Sequence, residues 1–374
     1  MRIAVDARTV YAPTRRGIGK TLVDLYTTLA AMRAEWEFFM FHQTEHEDDP
    51  FAGIANIRRR RVDIPGDRFD FWEHLRLPLA LARARPAVLH CPANTAPAVT
   101  PCPVVLTIHD VIPIEVAPHA PATVAWARRV RRASRSARKI ITPSHYSRAA
   151  IIDKFGVPEE KVIVTHWGQR PVVRGTASAP AIAEVRRRLE IPDCAPYILG
   201  FGANDPRKNA RGIIEAWARL LAAVKGAAVL VLVGFQKEAL PHHRALAAAH
   251  IADGSYRFSG FIDEKDITSL ITGATALCYP SLSEGFGVPL LEAFACGTPV
   301  IASSTTSLPE IAGDAAIFVD PADPDSIAAG ISEVLRSEET RQRLRTAGTN
   351  RLRAFSWESC ASATAAVLES AGRN

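Results

Sequence analysis

Short apolar runs alternate with longer amphipathic stretches along the whole chain. Runs of the first kind, such as residues 104–108 and 228–234, are bounded by glycine, proline or charged residues, which is typical of buried strands. Stretches of the second kind space their apolar residues three or four apart, as Leu22, Leu25 and Leu29 are spaced, and predict helices. The alternation of strand and helix predicts mostly parallel sheets covered by helices on both faces.

The pattern divides into two similar halves, joined by a segment rich in prolines and small residues. We expect a first domain at 1–170, a linker at 171–183, a second domain at 184–355 and a C-terminal helix at 356–374. The predicted strands are 2–7, 36–41, 57–63, 88–91, 104–108, 139–143 and 162–165, then 196–202, 228–234, 256–262, 275–279, 299–302 and 315–319. The predicted helices are 18–32, 71–83, 120–137, 144–155, 210–223, 264–272, 289–297 and 308–312, followed by a helical pair up to the end of the chain.

A turn follows the predicted strand at 275–279 and contains two glycines. Pro289 can open the helix after this turn, because its missing N–H is no loss at the first helical position, and Gly297 can end it. Glu284 therefore lies at a strand-to-helix turn, and Glu292 follows eight residues later. Carboxylates are good acceptors for the vicinal hydroxyls of a sugar or a ribose.

The start of the same helix is also a candidate anion site. Backbone N–H groups near Phe286, Gly287 and Val288 would be without intrahelical partners, and the helix dipole favours a phosphate beside them. A phosphate site next to two hydroxyl-binding carboxylates indicates a nucleotide sugar as the ligand.

A second glycine turn, Gly17-Ile18-Gly19, lies between the first strand and the first helix. A P-loop would need glycine at Thr14, and a dinucleotide fingerprint would need glycine at Leu22, so neither motif is present. What remains is a strand, a glycine turn and a helix start, an arrangement that lets backbone approach a phosphate.

Two adjacent cations, Arg207 and Lys208, follow the first strand of the second half. We expect them at a helix start, where cations are unfavourable unless an anion compensates them. This predicts that they bind phosphate. In the first half, His109 closes an apolar strand beside Asp110, at the end of the sheet where ligands bind, and is a further site candidate.

Composition bounds the class of protein. The chain has 374 residues with 48% hydrophobic content, and no apolar run approaches the ~20 residues that span a bilayer. Its amino terminus reads as a strand rather than a signal peptide. The six cysteines are scattered without a Cys-x-x-Cys pair, which argues against a disulfide framework or zinc site and favours a cytoplasmic location.

The net charge of +6 is unevenly distributed, because residues 1–170 hold 25 Lys and Arg against 17 Asp and Glu. A basic segment from Arg128 to Lys139 and the run 58–61 account for much of the excess. No helix-turn-helix, zinc finger or aromatic stacking platform accompanies them, so nucleic acid is not an expected partner. Two alternatives stay open: a solvated basic helix, or a helix that touches an anionic membrane surface, peripherally on the inner face of the plasma membrane.

The segment EGFGVPLLEAFACGTPVIAS, continued by Ser307-Leu308-Pro309-Glu310-Ile311, resembles the signature of the retaining family-four glycosyltransferases. The resemblance implies an α/β fold with two Rossmann-like domains facing across a cleft (GT-B), in which the first binds the acceptor and the second the nucleotide sugar. The ending FSWES resembles the start of the family's C-terminal helix, which crosses back to the first domain, and Ser356 is a suitable N-cap.

The resemblance also implies roles for the candidate residues. Glu292 would hold the ribose hydroxyls and Glu284 the sugar hydroxyls, while His109 would act at the active site. The diphosphate would be stabilised by Arg207, Lys208, the Gly17–Gly19 turn and the amides near Phe286. No Asp-x-Asp lies in a strand-end loop, so we expect no metal and no cofactor beyond the nucleotide-sugar donor.

The donor and acceptor are expectations with alternatives. The Arg-Lys-Asn segment and His109 with its neighbours resemble bacterial mannosyltransferases of polysaccharide assembly, which implies GDP-mannose and a glycan or polyprenyl-diphosphate-linked acceptor. UDP-glucose or UDP-N-acetylglucosamine is the alternative, with Ile262 near a strand edge that selects the base. Gly202 stands where the family often has an arginine. A nicotinamide-dependent dehydrogenase and a non-catalytic lipid-binding scaffold are the alternatives from other classes.

Overall fold

The computed structural model describes residues 1–15, 17–43, 48–63, 71–170, 175–202, 205–220, 224 and 226–373. The described chain forms two compact units, one from Met1–Gly168 together with Phe355–Asn374 and the other from Gln169–Ala354. Each unit is built around its own parallel sheet. The prediction of two Rossmann-like α/β domains is therefore confirmed.

Every strand predicted for the first half is present, with ends that shift by one or two residues. The strands are β1 (Arg2–Asp6), β2 (Glu37–His42), β3 (Ile57–Arg61), β4 (Val88–Cys91), β5 (Val104–Thr107), β6 (Lys139–Thr142) and β7 (Val162–Val164). They pair in the order β3-β2-β1-β4-β5-β6-β7, and all pairs are parallel. The order reverses between β1 and β4, so the crevice at their carboxyl ends is where such a sheet binds ligands.

The helices of this unit lie on both faces of the sheet. They are α1 (Gly17–Met32), α2 (Leu77–Ala84), α3 (Ile112–Val116), α4 (Pro121–Ser136) and α5 (His145–Phe155), with a π-helical turn at Trp72–Arg76. Successive residues of β1 point to opposite sides: Ile3 and Val5 join one core, while Ala4 joins another with Phe39 and Leu89. A strand buried on both faces reads as a continuous apolar run, which is why the sequence predicted it.

The second unit repeats this architecture. Its strands are β8 (Tyr197–Phe201), β9 (Val229–Val233), β10 (Tyr256–Phe258), β11 (Ala276–Tyr279), β12 (Val300–Ser303) and β13 (Ala316–Val319), in the order β10-β9-β8-β11-β12-β13. Its helices are α6 (Ala179–Arg188), α7 (Ala210–Arg219), α8 (Leu240–His250), α9 (Glu264–Thr272), α10 (Val288–Ala295), α11 (Leu308–Ala312), α12 (Pro324–Arg336) and α13 (Glu338–Leu352). Because β8 pairs with β11, the loops after these two strands meet at the point where the strand order reverses.

The C-terminal helix α14 (Trp357–Gly372) belongs to the first unit. Its buried residues, including Ala361 and Leu368, share a core with Leu22 and Ile3. The hydroxyl of Ser356 accepts a hydrogen bond from the N–H of Ser359 at 3.0 Å, which confirms the predicted N-cap.

Some predicted elements are wrong in extent. Helix α6 begins at Ala179, inside the expected linker 171–183, because Pro180 fits a first helical turn; residues 171–174 lie outside the described part of the chain. The helix predicted at 120–137 ends at Ser136, and Lys139 opens β6, so the basic segment from Arg128 to Lys139 is not one helix. The strand predicted at 256–262 ends at Phe258.

Two further elements differ from the prediction. Helix α8 was not predicted, because its sequence gives almost no apolar face and Ala247 is the buried residue. The helix predicted at 71–83 starts with the π-helical turn, which places the buried Glu73 against Arg8, with Arg8 Nη2 2.8 Å from Glu73 Oε2.

Candidate active site

The glycine turn of the second unit has the predicted strand–turn–helix form. Strand β11 ends at Tyr279, and α10 follows with Pro289 in its first turn. Gly287 has a φ of 108°, which favours glycine, and a Cβ there would lie 2.6 Å from Leu308 Cδ2, so the Leu308 side chain would have to move. Gly297, at φ 67°, follows the end of the helix as predicted.

Glu284 is the centre of a hydrogen-bonded cluster after β11. Its residue is 8% exposed, and its Oε1 accepts bonds from Lys208 Nζ at 2.6 Å, Tyr279 Oη at 2.7 Å and Ser281 Oγ at 2.7 Å. Its Oε2 accepts no hydrogen bond from the residues that the structure describes. The sequence identified Glu284 and Lys208 but missed Tyr279 and Ser281.

The backbone of this turn is held by the segment that extends the signature. Ser307 Oγ lies 2.9 Å from the carbonyl oxygen of Glu284 and 3.0 Å from that of Phe286, so the two carbonyls share its single proton, and Ser307 is fully buried. Thr306, at φ 62°, accepts the Glu284 N–H on its Oγ1 at 3.3 Å. Ser307 is the first residue of the matched Ser307–Ile311 stretch, and its contacts explain why a hydroxyl stands there.

Arg207 and Lys208 lie in a 3-10 turn, Pro206–Lys208, rather than at the helix start. Helix α7 begins at Ala210 and is capped by Asn209, so the prediction that the two cations open that helix is wrong. Arg207 makes a bidentate pair with Asp205, with Nη2 2.5 Å from Oδ2, and donates from Nη1 to the carbonyl of Ser283 at 2.9 Å. Each cation therefore has a carboxylate partner in the protein, and no outside anion is needed to explain it.

Asn209 connects three segments through its side-chain amide. Its Nδ2 donates to the carbonyls of Pro280 at 3.1 Å and Pro321 at 2.7 Å, and its Oδ1 accepts the N–H of Gly212 at 3.2 Å. A Cβ on Gly212 would lie 2.5 Å from Asn209 Oδ1. A glycine one turn after an asparagine was the available sequence signal for this cap.

Glu292, on α10, has a different environment from Glu284. It is 7% exposed, and Arg170 Nη1 lies 3.3 Å from its Oε1. Arg170 also pairs with Glu264, at the start of α9. The sequence gave no signal for Arg170, because it lies far from Glu292 along the chain.

The remaining predicted residues of this unit lie at two places. Phe286 is buried, and Gly287 and Val288 begin α10 after the Glu284 turn. Ile262 lies in the loop after β10, next to Phe261, whose residue is 75% exposed. Since β8 and β9 lie between β10 and β11 in the sheet, Ile262 is not on a strand adjoining the Glu284 turn.

In the first unit, the Gly17–Gly19 turn forms the start of α1, after β1. A Cβ on Gly19 would lie 2.2 Å from the carbonyl oxygen of Thr9, so glycine is required for the helix to approach the loop after β1. The first amides of α1 are thus held next to the carboxyl end of β1.

His109 follows β5 and is buried, with its ring centroid 5.4 Å from that of Trp167. Its Nε2 lies 2.7 Å from the carbonyl oxygen of Pro92, and because a carbonyl can only accept, Nε2 carries the proton. Burial lowers the pKa of His109 to about 4, so the ring is neutral at pH 7. Its Nδ1 is then an acceptor, buried and without a hydrogen-bond partner among the described residues.

The basic side chains of α4 are exposed and several of them contact neighbouring segments. Arg131 Nη2 donates to the carbonyl of Lys154 at 2.9 Å, and Arg132 Nη2 lies 2.9 Å from His74 Nε2. No helix in the described part of the chain is both long and apolar enough to cross a membrane.

The fold and the family models that match this chain define a class of protein, the GT-B glycosyltransferases. A sucrose-phosphate synthase from Thermosynechococcus elongatus has the same fold, with a TM-score of 0.78 at 20% identity over 99% of this chain and 98% of that one. The family described as Glycosyltransferase Family 4 matches residues 15–168, and that described as Glycosyl transferases group 1 matches residues 181–351.

Two curated relatives define the family more closely. The O-antigen chain mannosyltransferase B of Escherichia coli is 30% identical, over 93% of this chain and 94% of its own length. The MMP alpha-(1->4)-mannosyltransferase of Mycolicibacterium hassiacum is 33% identical, over 72% of this chain and 66% of its own. This chain belongs to the family-4 glycosyltransferases and is an enzyme. Membership favours glycosyl transfer over the dehydrogenase and the lipid-binding scaffold.

Proposed function

We propose that the enzyme transfers mannose from GDP-mannose to a glycan or polyprenyl-diphosphate-linked acceptor in the cytoplasm, with retention at the anomeric carbon and without a metal ion. The observation that carries this proposal is the pairing of Glu284 with Lys208 where the strand order reverses between β8 and β11. The choice of mannose is supported by the relatives, which include several mannosyltransferases.

Lys208 is proposed to bind the leaving diphosphate. An ammonium group has three N–H donors, and the bonds to Glu284 and Tyr279 use two of them. The third can donate to a phosphate oxygen in a direction that the other two bonds fix. A fixed cation stabilises developing negative charge without reorganising, which is the task a metal ion performs in other transferases.

Arg207 and the helix-start amides near Phe286, Gly287 and Val288 are proposed to contribute to the same charge stabilisation. Glu292 is proposed to accept bonds from the ribose hydroxyls. In the first unit, the Gly17–Gly19 amides are proposed to approach the diphosphate, and His109 is proposed to accept a sugar hydroxyl on Nδ1. The ring is neutral, and its Nδ1 lone pair accepts no hydrogen bond from a described residue; both observations support that role for His109.

Glu284 is proposed to accept hydroxyl hydrogen bonds from the transferred sugar through Oε2. It is also proposed to stabilise the positive charge that develops near the sugar ring in the transition state. Oε1 is already saturated by three donors, which leaves Oε2 as the acceptor for a ligand.

A donor panel tests this function directly. We expect GDP to raise Tm more than UDP or dTDP does, since binding to the folded state stabilises it by mass action. Transfer from GDP-mannose should persist with excess chelator, and proton NMR of the product should show the donor's anomeric configuration. Stabilisation by UDP alone would establish the UDP-sugar alternative, and activity only on added magnesium or manganese would contradict metal independence.

We further propose that the first unit associates peripherally with an anionic membrane surface, on the inner face of the plasma membrane. The sequence placed this membrane contact at the segment from Arg128 to Lys139. A different surface of the same unit combines basic side chains with exposed apolar ones. A groove of about 770 Å³ between β2, β3 and α2 is lined by Arg58, Arg60, Arg76 and Arg83, none of which makes an ion pair with a described residue.

One side chain that lines this groove, Leu79, belongs to a row of exposed apolar residues. Phe71, Leu75 and Leu79 recur every four residues and are 43%, 44% and 47% exposed, while no large apolar side chain of α4 is exposed among the described residues. Basic and apolar groups together are what an interfacial segment needs. Sedimentation with anionic and neutral vesicles tests the association, and equal binding to both would contradict it.

A further inference from the structure

Tyr279 bridges the two charged groups of the Glu284 cluster. Its hydroxyl lies 2.5 Å from Lys208 Nζ and 2.7 Å from Glu284 Oε1. A phenol has one proton, and an ammonium nitrogen can only donate. Tyr279 therefore accepts from Lys208 and donates to Glu284.

The phenol is held in this role by its surroundings. Tyr279 is 2% exposed, at the end of the fully buried strand β11. Burial, and then the charge of Glu284, raises its pKa well above the ordinary value, so the proton stays on the phenol. Ser281, also fully buried, adds a third donor to the same carboxylate oxygen.

We infer that Tyr279 is a positioning residue for the transfer reaction, an inference that rests on the proposed function of Glu284. By donating to Oε1, Tyr279 fixes the carboxylate plane and directs Oε2 to the ligand. By accepting from Lys208, it fixes the direction in which the third N–H of the ammonium points. Removing the phenol oxygen leaves both charges in place and releases their orientation.

A purely structural role for Tyr279 predicts different behaviour, and the chain provides a matched control. Tyr197 lies on β8, the strand that pairs with β11, and is fully buried. Its hydroxyl donates to the carbonyl of Leu270 at 2.6 Å and contacts none of the proposed site residues. Tyr279→Phe and Tyr197→Phe each remove one buried phenol hydroxyl, and Tyr279→Phe alone changes the Glu284 cluster.

The experiment measures kcat for sugar transfer and the Kd of the free nucleoside diphosphate in the full-length variants, with the donor that supports transfer. Tyr279→Phe should lower kcat about tenfold, the size expected for a hydrogen bond to a charged group, and change the Kd less than about threefold. Tyr197→Phe should stay within about twofold of the parent in both. Ser281→Ala should lower kcat about threefold and serves as the second variant if Tyr279→Phe does not fold.

A double-mutant cycle shows whether Tyr279 acts through Glu284. In a Glu284→Gln background, Tyr279→Phe should lower kcat by less than about threefold, because one of the two groups that Tyr279 positions has already changed and only the orientation of Lys208 remains to be lost. A full tenfold loss in that background, or an equal loss in Tyr197→Phe, would overturn the inference. If Glu284→Gln itself left kcat unchanged, the proposed role of Glu284 would fail instead, and Tyr279→Phe alone would then report only on Lys208.

Discussion

Two groups of cations in this chain differ in how they are held. In the second unit, Arg207 and Lys208 are each 20% exposed and each is bound to a carboxylate. In the first unit, Arg58 and Arg60 stand exposed on the edge strand β3 without an ion pair to a described residue. Positive charges that cluster along the sequence can therefore belong to different kinds of site in the folded protein.

The two groups of cations suit different kinds of ligand. A cation that is oriented by several hydrogen bonds presents its remaining donor in one direction, which suits a ligand with a fixed geometry such as a bound diphosphate. Exposed arginines on flexible stems suit a diffuse anionic surface and are weakened by salt. Variants that remove one charge at a time test whether the two groups of cations have these different roles.

The largest effect should come from Lys208→Met. We expect kcat/KM to fall at least a hundredfold, about 3 kcal/mol, because a positioned charge is lost and Glu284 stays buried without its cation. Lys265→Met, at an exposed position of α9, is the control and should change the rate less than twofold. A loss of less than fivefold for Lys208→Met would show that the transfer reaction does not depend on the orientation of this cation.

The next largest effects should come from substitutions of Glu284 and Glu292, which should change different kinetic constants. Glu284→Gln should lower kcat by roughly ten- to a hundredfold, since it removes transition-state stabilisation worth about 1.4–2.7 kcal/mol. Glu292→Gln should chiefly raise the donor KM and weaken the free nucleotide, because the ribose is unchanged during the reaction. Calorimetric titration of the bare nucleotide into both variants measures this, and loss of the nucleotide in Glu284→Gln with retention in Glu292→Gln would reverse the assignment.

Substitution of the arginines that are proposed to contact the membrane should have a smaller effect, and this effect should decrease as the salt concentration rises. Replacing Arg58 and Arg60 by serine should lower binding to anionic vesicles by roughly ten- to thirtyfold at low salt, at about 1 kcal/mol for each arginine. The matched double variant replaces Arg128 and Arg135 on α4 and should have the lesser effect. Vesicle sedimentation compares the two, and the opposite ranking would assign the contact to α4.

The smallest expected effect is a pH dependence of the unfolding free energy, caused by two buried histidines of the first unit. Burial lowers the pKa of His109 to about 4 and of His90, which lies between Tyr26 and Thr107, to about 3, against 6.5 when unfolded. Unfolding therefore takes up protons below about pH 6.5, and stability falls as the pH drops through that window. Each histidine should remove about 1 kcal/mol of unfolding free energy between pH 7 and pH 5.5.

Urea unfolding followed by tryptophan fluorescence measures this pH dependence. Every tryptophan except Trp217 lies in the first unit, so the signal reports mainly on that unit. His109→Gln, whose side-chain amide reaches the position of Nε2, keeps a donor for the Pro92 carbonyl and should lose about 1 kcal/mol less than the parent over the same pH range. An identical pH dependence in the variant would show that His109 is not a source of this acid sensitivity.

The sequence predicted the strands well, because buried parallel strands are continuous apolar runs. It predicted the glycine turn well, because glycine and proline mark turns and helix ends. It could not predict the partners of the charged residues. Asp205 stands beside Arg207 and was overlooked, and Tyr279 was read only as the end of a strand. Contacts such as Arg170 with Glu292 depend on which elements the fold brings together, and no local pattern encodes that.

The side-chain amide of Asn209 has a consequence for anyone who wishes to exchange parts between related transferases. It ties the loop after β8 to the carbonyls of Pro280 after β11 and Pro321 after β13. A graft that replaces one of these three loops leaves its partners attached to a backbone that no longer matches them. The three loops should therefore be exchanged as a set, with Asn209 and the glycine one turn after it retained.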